Sequence, residues 1–368
     1  MKKRVVYFKY NETWGAFGSK EHFFHFFWGY LLPTISSLIQ QEEKNTKISR
    51  IFCEDCGPNM NKVTLDMLDL LGYCAEIKNN PEPVDEIILV DRWDMLINFE
   101  SIMYDDEYSQ KGSISEWRTN PNILNIVKHK EFAKNFQSEI LKVRRVVLAK
   151  ASEDNQYIEN QDRSNEARIE TVEKEKTVNA RFLLKRFIKA CLTIFGPKLR
   201  DKIIRKIRNL IERNVSKIEK QRRRKKANVY LLKRQDEPEY YSEKGSATAK
   251  TYGASRRTFV NTQEGLNILR KTWKVKDYNS GESSISDQIN QFNKMDVAIG
   301  VKGAEFSNVI WMKPGAKIIQ IIPRKMKTPP VYERIAKLIQ VESVSVRSHE
   351  KQNPDLGKMA SLIEYLIH

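Results

Sequence analysis

The sequence has few cysteines and no long hydrophobic run. Four cysteines in 368 residues are too few for a disulfide framework in a chain of this length. Cys53 and Cys56 form a lone C-x-x-C without the second pair that a four-ligand zinc site needs, so buried structural thiols are the favoured interpretation. The longest apolar stretch, residues 23–35, contains His25 and Pro33 and is too short to cross a bilayer.

Two further motifs are missing. Residues 2–4 are basic, but no apolar segment of the kind that completes a secretion signal follows them. We therefore expect a reduced, cytoplasmic setting. There is also no D-x-D motif at the end of an apolar strand, because Asp105 and Asp106 lie in a polar stretch. The sequence accordingly predicts neither a metal site nor a cofactor.

Positive charge is concentrated in one segment. The formal net charge is +17, and residues 181–226 carry eighteen Lys and Arg against three acids. Apolar residues recur there at helical spacing, and basic amphipathic helices bind anionic membranes at about 1 kcal/mol per charge. The alternatives are packing on the protein's own core and binding of nucleic acid, for which no recognised motif is present. We expect contact with an anionic membrane and no nucleic acid.

Strands and helices alternate in the first 150 residues. The predicted strands are 5–8, 48–52, 75–78 and 86–90, and the predicted helices are 21–39, 62–71 and 131–149. Pro33 predicts a bend or restart in the first helix. Helix 131–149 is predicted from one apolar face, formed by Phe132, Phe136, Ile140, Val143 and Val147. The alternation favours a parallel sheet with Rossmann-like connections.

Asp91 and Arg92 follow the fourth predicted strand. Ligands of parallel sheets bind outside the carboxyl ends of the strands, so these two residues are candidates for the chemistry. A surface ion pair is the alternative interpretation. His25 is a second candidate, and for this residue the alternative is a core histidine that is simply hydrogen-bonded.

A second α/β region is predicted from residue 228 onward. Strand 229–233 ends in Arg234, and Arg256 and Arg257 precede a helix over 262–271, with Asn261 or Thr262 as its N-cap. Strand 275–278 and helix 286–295, which contains Gln288, follow. Helices over 330–339 and 356–367 flank a short strand near residue 344. We expect the terminal helix to cross back onto the first domain.

Residues 296–323 contain a strand, a turn with Gly303, a short helix over 306–312, Pro-Gly and a second strand over 316–322. Glycine allows close approach of the backbone, and the N-terminus of a helix favours an anion, so this pattern is typical of a phosphate site. Many such turns in α/β proteins bind nothing, so the pattern alone leaves both possibilities open.

These residues resemble the sequence signature of the family 61 glycosyltransferases, which act in capsular and surface polysaccharide synthesis. The matching residues are Asp296, Gly300, Gly303, Ala304, Asn308, Pro314 and Gly315. Lys302 stands where the family usually has His, and Glu305 where it has a second Gly. Further similarity lies in Phe24-His25 followed by Leu32-Pro33, in the arginines near the second region's strands, and in the helix with Gln288.

The resemblance implies a GT-B-like α/β fold, with two Rossmann-like domains facing a cleft and a basic helical insertion between them. The boundaries predicted are 1–150 for an acceptor domain, 151–226 for a charged linker and the basic helices, and 227–368 for a nucleotide-sugar domain. It implies a metal-independent, inverting transfer from a nucleotide-diphosphate sugar, with a UDP-sugar favoured, to a glycan or lipid-linked acceptor. The donor-binding candidates are Arg234, Arg256, Arg257, Gln288, Lys302, Gly303, Ala304 and Asn308, and the catalytic candidates are His25, Asp91 and Glu305.

The predicted enzyme is cytoplasmic and peripheral at the inner face of the membrane. The alternative is a non-catalytic glycosyltransferase-like protein that acts as a membrane-surface adaptor, because both departures fall in the turn with Gly303.

Overall fold

The computed structural model describes residues 4–12, 20, 22–103, 136–152, 227–234, 258–326, 330–351 and 353–367. Within these ranges the chain forms two parallel sheets flanked by helices, which confirms the predicted α/β class. The basic segment 181–226 lies outside the described residues, as do Asp105, Asp106, Arg256 and Arg257.

The first sheet has four strands in the order β3-β2-β1-β4, all parallel. The strands are β1 (Arg4–Lys9), β2 (Ile48–Cys53), β3 (Ala75–Ile77) and β4 (Glu86–Leu89). The helices of this half are α1 (Phe23–Phe26), α2 (Leu32–Glu43), α3 (Pro58–Leu70), α4 (Trp93–Met103) and α5 (residues 136–152). Side chains of β1 and β2 that point to the helices are apolar and buried, as parallel sheets require.

The predicted bend at Pro33 begins earlier in the chain. A π-helical turn, Phe27–Leu31, joins α1 to α2, and Pro33 lies in the first turn of α2. Proline has no N–H to donate and crowds the preceding turn, so widening of that turn accommodates it. Gly29 lies within the widened turn, where a side chain would meet Asp94.

The second sheet has five parallel strands in the order β6-β5-β7-β8-β9. They are β5 (Val229–Lys233), β6 (Val275–Asn279), β7 (Val297–Val301), β8 (Lys317–Ile322) and β9 (Glu342–Arg347). The helices here are α6 (Thr262–Leu269), α7 (Ile285–Lys294), α8 (Val331–Leu338) and α9 (Leu356–Ile367). A 3₁₀ turn, Ser280–Glu282, precedes α7, and a 3₁₀ helix, Ala304–Trp311, replaces the short helix predicted after β7.

One hydrophobic core extends across both sheets. It joins Phe8 of β1, Trp28 of the π-helical turn and Phe292 of α7. The apolar face predicted for α5 is confirmed within the described residues, since the side chains of Phe136, Ile140, Val143 and Val147 are buried in this core. The two sheets therefore share their interior.

The predicted position of the terminal helix is wrong. Helix α9 packs against α6 and the far face of the second sheet, where Leu356 and Ile363 join a core of their own with Leu231. Gly265 of α6 permits this contact, because a Cβ there would lie 2.4 Å from Leu356 Cγ. The amphipathic pattern of a helix indicates that one face is buried but does not say which surface buries it.

The predicted N-cap of α6 is only partly confirmed. Asn261 occupies the N-cap position, with a left-handed φ of 51°, but its side chain does not cap the helix. Its Nδ2 donates instead to Asp355 Oδ2 at 2.9 Å, just before α9. The side chain therefore links two helices.

Each sheet has one point at which the strand order reverses. In the first sheet this point lies between β1 and β4, and in the second it lies between β5 and β7. The crevices at the carboxyl ends of such strand pairs are where open parallel sheets bind ligands. The candidate side chains described next lie at these two points.

Candidate active site

A buried cluster of charged side chains follows β1 and β4. Arg92 donates from Nε to Asp94 Oδ1 at 2.8 Å and from Nη2 to Asp94 Oδ2 at 2.7 Å. Both side chains are almost fully buried, and the guanidinium carbon lies 4.4 Å from the centre of the Tyr10 ring. A surface ion pair was the alternative interpretation for Arg92, and it is wrong because this pair is internal. Asp91, by contrast, is exposed.

His25 joins the cluster from α1. Its Nδ1 lies 2.7 Å from Asp94 Oδ2, and about a fifth of its side chain is exposed. Because Nδ1 faces the carboxylate, Nε2 is the ring atom that can take up a proton. Burial alone would raise the pKa of Asp94, but hydrogen bonds from Arg92 and His25 lower it below its ordinary value. Asp94 is therefore a carboxylate that orients a histidine, which is the arrangement of a general base.

Gly29 explains how this cluster fits beneath the helix. A Cβ on Gly29 would lie 2.4 Å from Asp94 Oδ1 and 2.9 Å from Arg92 Nε. Both distances are far below van der Waals contact, so any other residue would displace the pair. The sequence singled out His25 and Arg92 but missed Asp94 and Gly29. Asp94 could have been identified from the sequence by its position in the first turn of the helix that follows β4.

At the second crevice, Arg234 follows β5 and meets the turn after β7. We call Lys302 to Glu305 the signature turn. Arg234 Nε lies 2.6 Å from Glu305 Oε1, and Arg234 Nη2 lies 2.9 Å from Glu305 Oε2. A Cβ on Gly303 would lie 2.0 Å from Arg234 Nη2, so this glycine makes room for the guanidinium. Arg234 and Glu305 also line a small pocket with Leu232, Thr258, Phe259 and Val301.

Lys302 forms an ion pair in the interior of the protein. Lys302 Nζ donates to both carboxylate oxygens of Glu333 on α8, at 3.0 and 3.1 Å, and only 2% of the lysine side chain is exposed. Ser345 of β9 donates to the same carboxylate at 2.6 Å. Lys302 thus joins the end of β7 to α8 and β9.

Gln288 and Asn308 form a buried pair beneath the signature turn. Asn308 Nδ2 donates to Gln288 Oε1 at 2.8 Å, and Gln288 Nε2 donates to the carbonyl of Ser283 at 3.1 Å. The pair connects α7 with the 3₁₀ helix. Ala304 lies at the start of that helix and is partly exposed. The structure thus places Arg234, Gly303, Ala304 and Glu305 together, with the buried amide pair behind them.

Aromatic side chains connect the two crevices. The ring of Phe24, next to His25, lies 5.8 Å from that of Tyr332 on α8, and the Tyr332 ring lies 5.9 Å from that of Phe306. Phe27 also contacts Trp311 at the end of the 3₁₀ helix, at 6.1 Å. The histidine cluster and the signature turn are therefore held on one continuous set of packed rings.

Cys53 is the last residue of β2, and Cys56 follows it by three positions. Cys53 and Cys56 are buried free thiols, which confirms the structural interpretation. Burial raises the pKa of Cys53 to about 12, and a hydrogen bond from Tyr30 only partly offsets this. No group of three or more metal-ligating side chains comes together in the part of the chain that the structure describes. Among the same residues, no helix has the length and apolar character needed to cross a membrane.

Two parallel sheets with charged side chains at both switch points are typical of an α/β protein that binds ligands at these points. The family model for glycosyltransferase 61 matches residues 22–319, which include His25, Asp94, Arg234 and the signature turn. The chain belongs to glycosyltransferase family 61 and is a glycosyltransferase, so a sugar donor and an acceptor are its substrates. A search of curated proteins found no significant match.

Proposed function

We propose that the protein is an inverting, metal-independent glycosyltransferase that moves a sugar from a nucleotide-diphosphate donor, a UDP-sugar by preference, to a glycan or lipid-linked acceptor. The observation that carries this proposal is the His25–Asp94 pair at one switch point, joined through packed rings to Phe306, the residue next to the Arg234–Glu305 pair at the other. A base and a phosphate ligand are the two groups that such a transfer requires.

The reaction follows from this arrangement. His25 Nε2 takes the proton of an acceptor hydroxyl as its oxygen forms a bond to the anomeric carbon. The bond from that carbon to the donor diphosphate breaks at the same step, and the electron pair leaves with the diphosphate. Arg234 and the N–H groups at the start of the 3₁₀ helix compensate the charge that develops. A single displacement of this kind inverts the anomeric configuration.

Among the three catalytic candidates, His25 is favoured by its surroundings. Asp94 stabilises the imidazolium that forms when His25 takes up the proton. Glu305 is already paired with Arg234 at the second switch point. Asp91 is exposed and directly precedes Arg92, but its carboxylate is not part of the internal cluster of His25, Arg92 and Asp94.

The arrangement of the two regions as a GT-B fold is part of the same proposal. It is supported by the switch point that each sheet provides. The first sheet has the order 3-2-1-4 with which the Rossmann order begins, and the second has the flavodoxin-like order 2-1-3-4-5 when its strands are counted from β5. The predicted boundaries of 1–150, 151–226 and 227–368 belong to the same proposal. Arg256 and Arg257 remain donor-binding candidates from the resemblance alone.

We also propose a place for the enzyme in surface polysaccharide synthesis, at the inner face of the membrane. The support comes from the sequence, where residues 181–226 hold most of the net positive charge. A basic surface next to an anionic bilayer would bring the enzyme to a lipid-linked or membrane-proximal acceptor.

The test is a screen of nucleotide sugars for release of nucleoside diphosphate, followed by determination of the anomeric configuration of the product. His25→Ala should lower turnover by roughly two to four orders of magnitude with little change in donor affinity. Arg234→Ala should weaken donor binding. Arg270→Ala is the matched control, because Arg270, at the end of α6, forms an exposed pair with Asp277 of β6. Retention of configuration, or full turnover of His25→Ala, would overturn the proposed mechanism.

A further inference from the structure

The two ion pairs of the signature turn differ in their surroundings. In the first pair, Glu333 also accepts a hydrogen bond from Ser345, and the side chain of Lys302 is 2% exposed. Arg234 and Glu305 are 11% and 16% exposed and line a pocket. The first pair is a fixed part of the interior, whereas the second is accessible to a ligand that enters the pocket.

Glu305 contacts the edge of Arg234 that a phosphate would use. Arg234 Nη2 donates to Glu305 Oε2 at 2.9 Å, and Arg234 Nε lies 2.6 Å from Oε1 without the angles of a hydrogen bond. The same edge of a guanidinium binds carboxylates and phosphates alike. The backbone of Gly303 approaches these same atoms closely, since a Cβ there would lie 2.0 Å from Arg234 Nη2 and 2.7 Å from Glu305 Oε2. Arg234 therefore has little room to serve Glu305 and a diphosphate through the same edge.

We propose that Glu305 is an affinity-determining residue that occupies the place of the donor diphosphate on Arg234 and must leave it when the donor binds. The inference rests on the proposed function of Arg234 as a donor ligand. Two consequences follow from electrostatics. Glu305 competes for the guanidinium, and its negative charge also repels a diphosphate nearby. Both effects weaken donor binding, so removal of this charge strengthens it.

The experiment is calorimetric titration of the full chain with inorganic pyrophosphate and with UDP. Pyrophosphate is included because its binding does not depend on the nucleotide base. Glu305→Gln keeps the size of the side chain and removes its charge, and we expect it to tighten the binding of both probes by about tenfold, which corresponds to about 1.4 kcal/mol. Glu305→Asp keeps the charge on a shorter side chain and should give an intermediate affinity.

The matched control is Glu342→Gln, which removes a carboxylate from the Lys317–Glu342 pair at the opposite end of the sheet. It should leave both affinities unchanged. Thermal unfolding of each variant verifies that the fold is intact, and the Asp variant keeps the test valid if the Gln variant does not fold.

The outcomes separate this inference from the proposed function. If Arg234→Ala weakens binding but Glu305→Gln leaves it unchanged or weaker, the donor site stands and Glu305 is not a competitor. If Arg234→Ala has no effect, or if no variant binds either probe, the proposed donor site fails and the inference fails with it. Binding by Glu305→Gln alone, with none by the wild type, would support the competition in its strongest form.

Discussion

At the scale of single residues, the chemistry depends on how Asp94 holds His25. We predict that Asp94→Asn lowers turnover by roughly two to four orders of magnitude, because a neutral amide cannot stabilise the imidazolium formed during transfer. Donor affinity, measured by calorimetry, should be nearly unchanged, since Asp94 lies in the first sheet's crevice. His349→Ala, at an exposed histidine, is the control. Wild-type turnover in Asp94→Asn would show that the pair has no part in the reaction.

Asp94 also predicts a pH dependence of stability. Its pKa in the folded protein is lowered, so the unfolded chain binds more protons at this group around pH 4. The stability contributed by the ionised group is therefore present above about pH 4, the ordinary pKa of an aspartate, and is lost as the pH falls through the lower folded pKa. Urea unfolding between pH 6 and pH 3 should show that the difference in free energy of unfolding between the wild type and Asp94→Asn becomes smaller as the pH falls. A difference that stays constant would contradict the prediction.

At the scale of elements, the Lys302–Glu333 pair joins β7 to α8. We predict that Lys302→Met lowers the free energy of unfolding by about 1–3 kcal/mol, because Glu333 is then left largely buried without its partner. Urea unfolding measures this, and the double variant Lys302→Met, Glu333→Leu should recover part of the loss. Pyrophosphate affinity should change little. A stable Lys302→Met protein with much weaker pyrophosphate binding would instead make Lys302 a donor ligand, as the sequence predicted.

Most elements were predictable because their patterns are local. Strand β5 and helix α9 have the predicted bounds, since an apolar run and a helical apolar face determine them almost alone. The sequence predicted only a bend near Pro33 and not the π-helical turn Phe27–Leu31. The packing of Gly29 against Arg92 and Asp94, more than sixty positions away, leaves no local pattern. The docking surface of α9 was mispredicted for the same reason, as it is set by tertiary contacts.

The candidate site was predictable in its components but not in its pairings. The resemblance pointed to His25, Arg234 and the signature turn, and the structure brings these residues to the two switch points. The resemblance did not indicate that Lys302 pairs with Glu333 or that Glu305 pairs with Arg234. Ion pairs between residues far apart in sequence leave no periodicity, so a single sequence does not reveal them.

At the scale of the whole molecule, the charge distribution predicts attachment to a membrane. Vesicle co-sedimentation should show binding to anionic lipids, loss of binding to neutral lipids, and release by 1 M salt, at which the Debye length is about 3 Å. Replacement of residues 222–226 by Gln should weaken binding to anionic vesicles. The matched control replaces five exposed lysines of the described part of the chain by Gln: Lys44, Lys47, Lys271, Lys274 and Lys351. Equal binding to both lipids, or none to either, would leave the segment as a solvated surface.

Helix α5 contacts elements that flank both sheets, and these contacts oppose separation of the sheets. Arg144 donates to the carbonyls of Ile310 and Met312, both at 2.7 Å, at the end of the 3₁₀ helix that begins with the signature turn. The opposite side of α5 is tied to α2, where Lys142 pairs with Glu43. A hinge that opened the sheets apart would have to break these charge-assisted bonds and expose the shared core. We therefore expect donor loading and product release to depend on side-chain and loop motion at the crevices, with the two sheets kept together by these contacts.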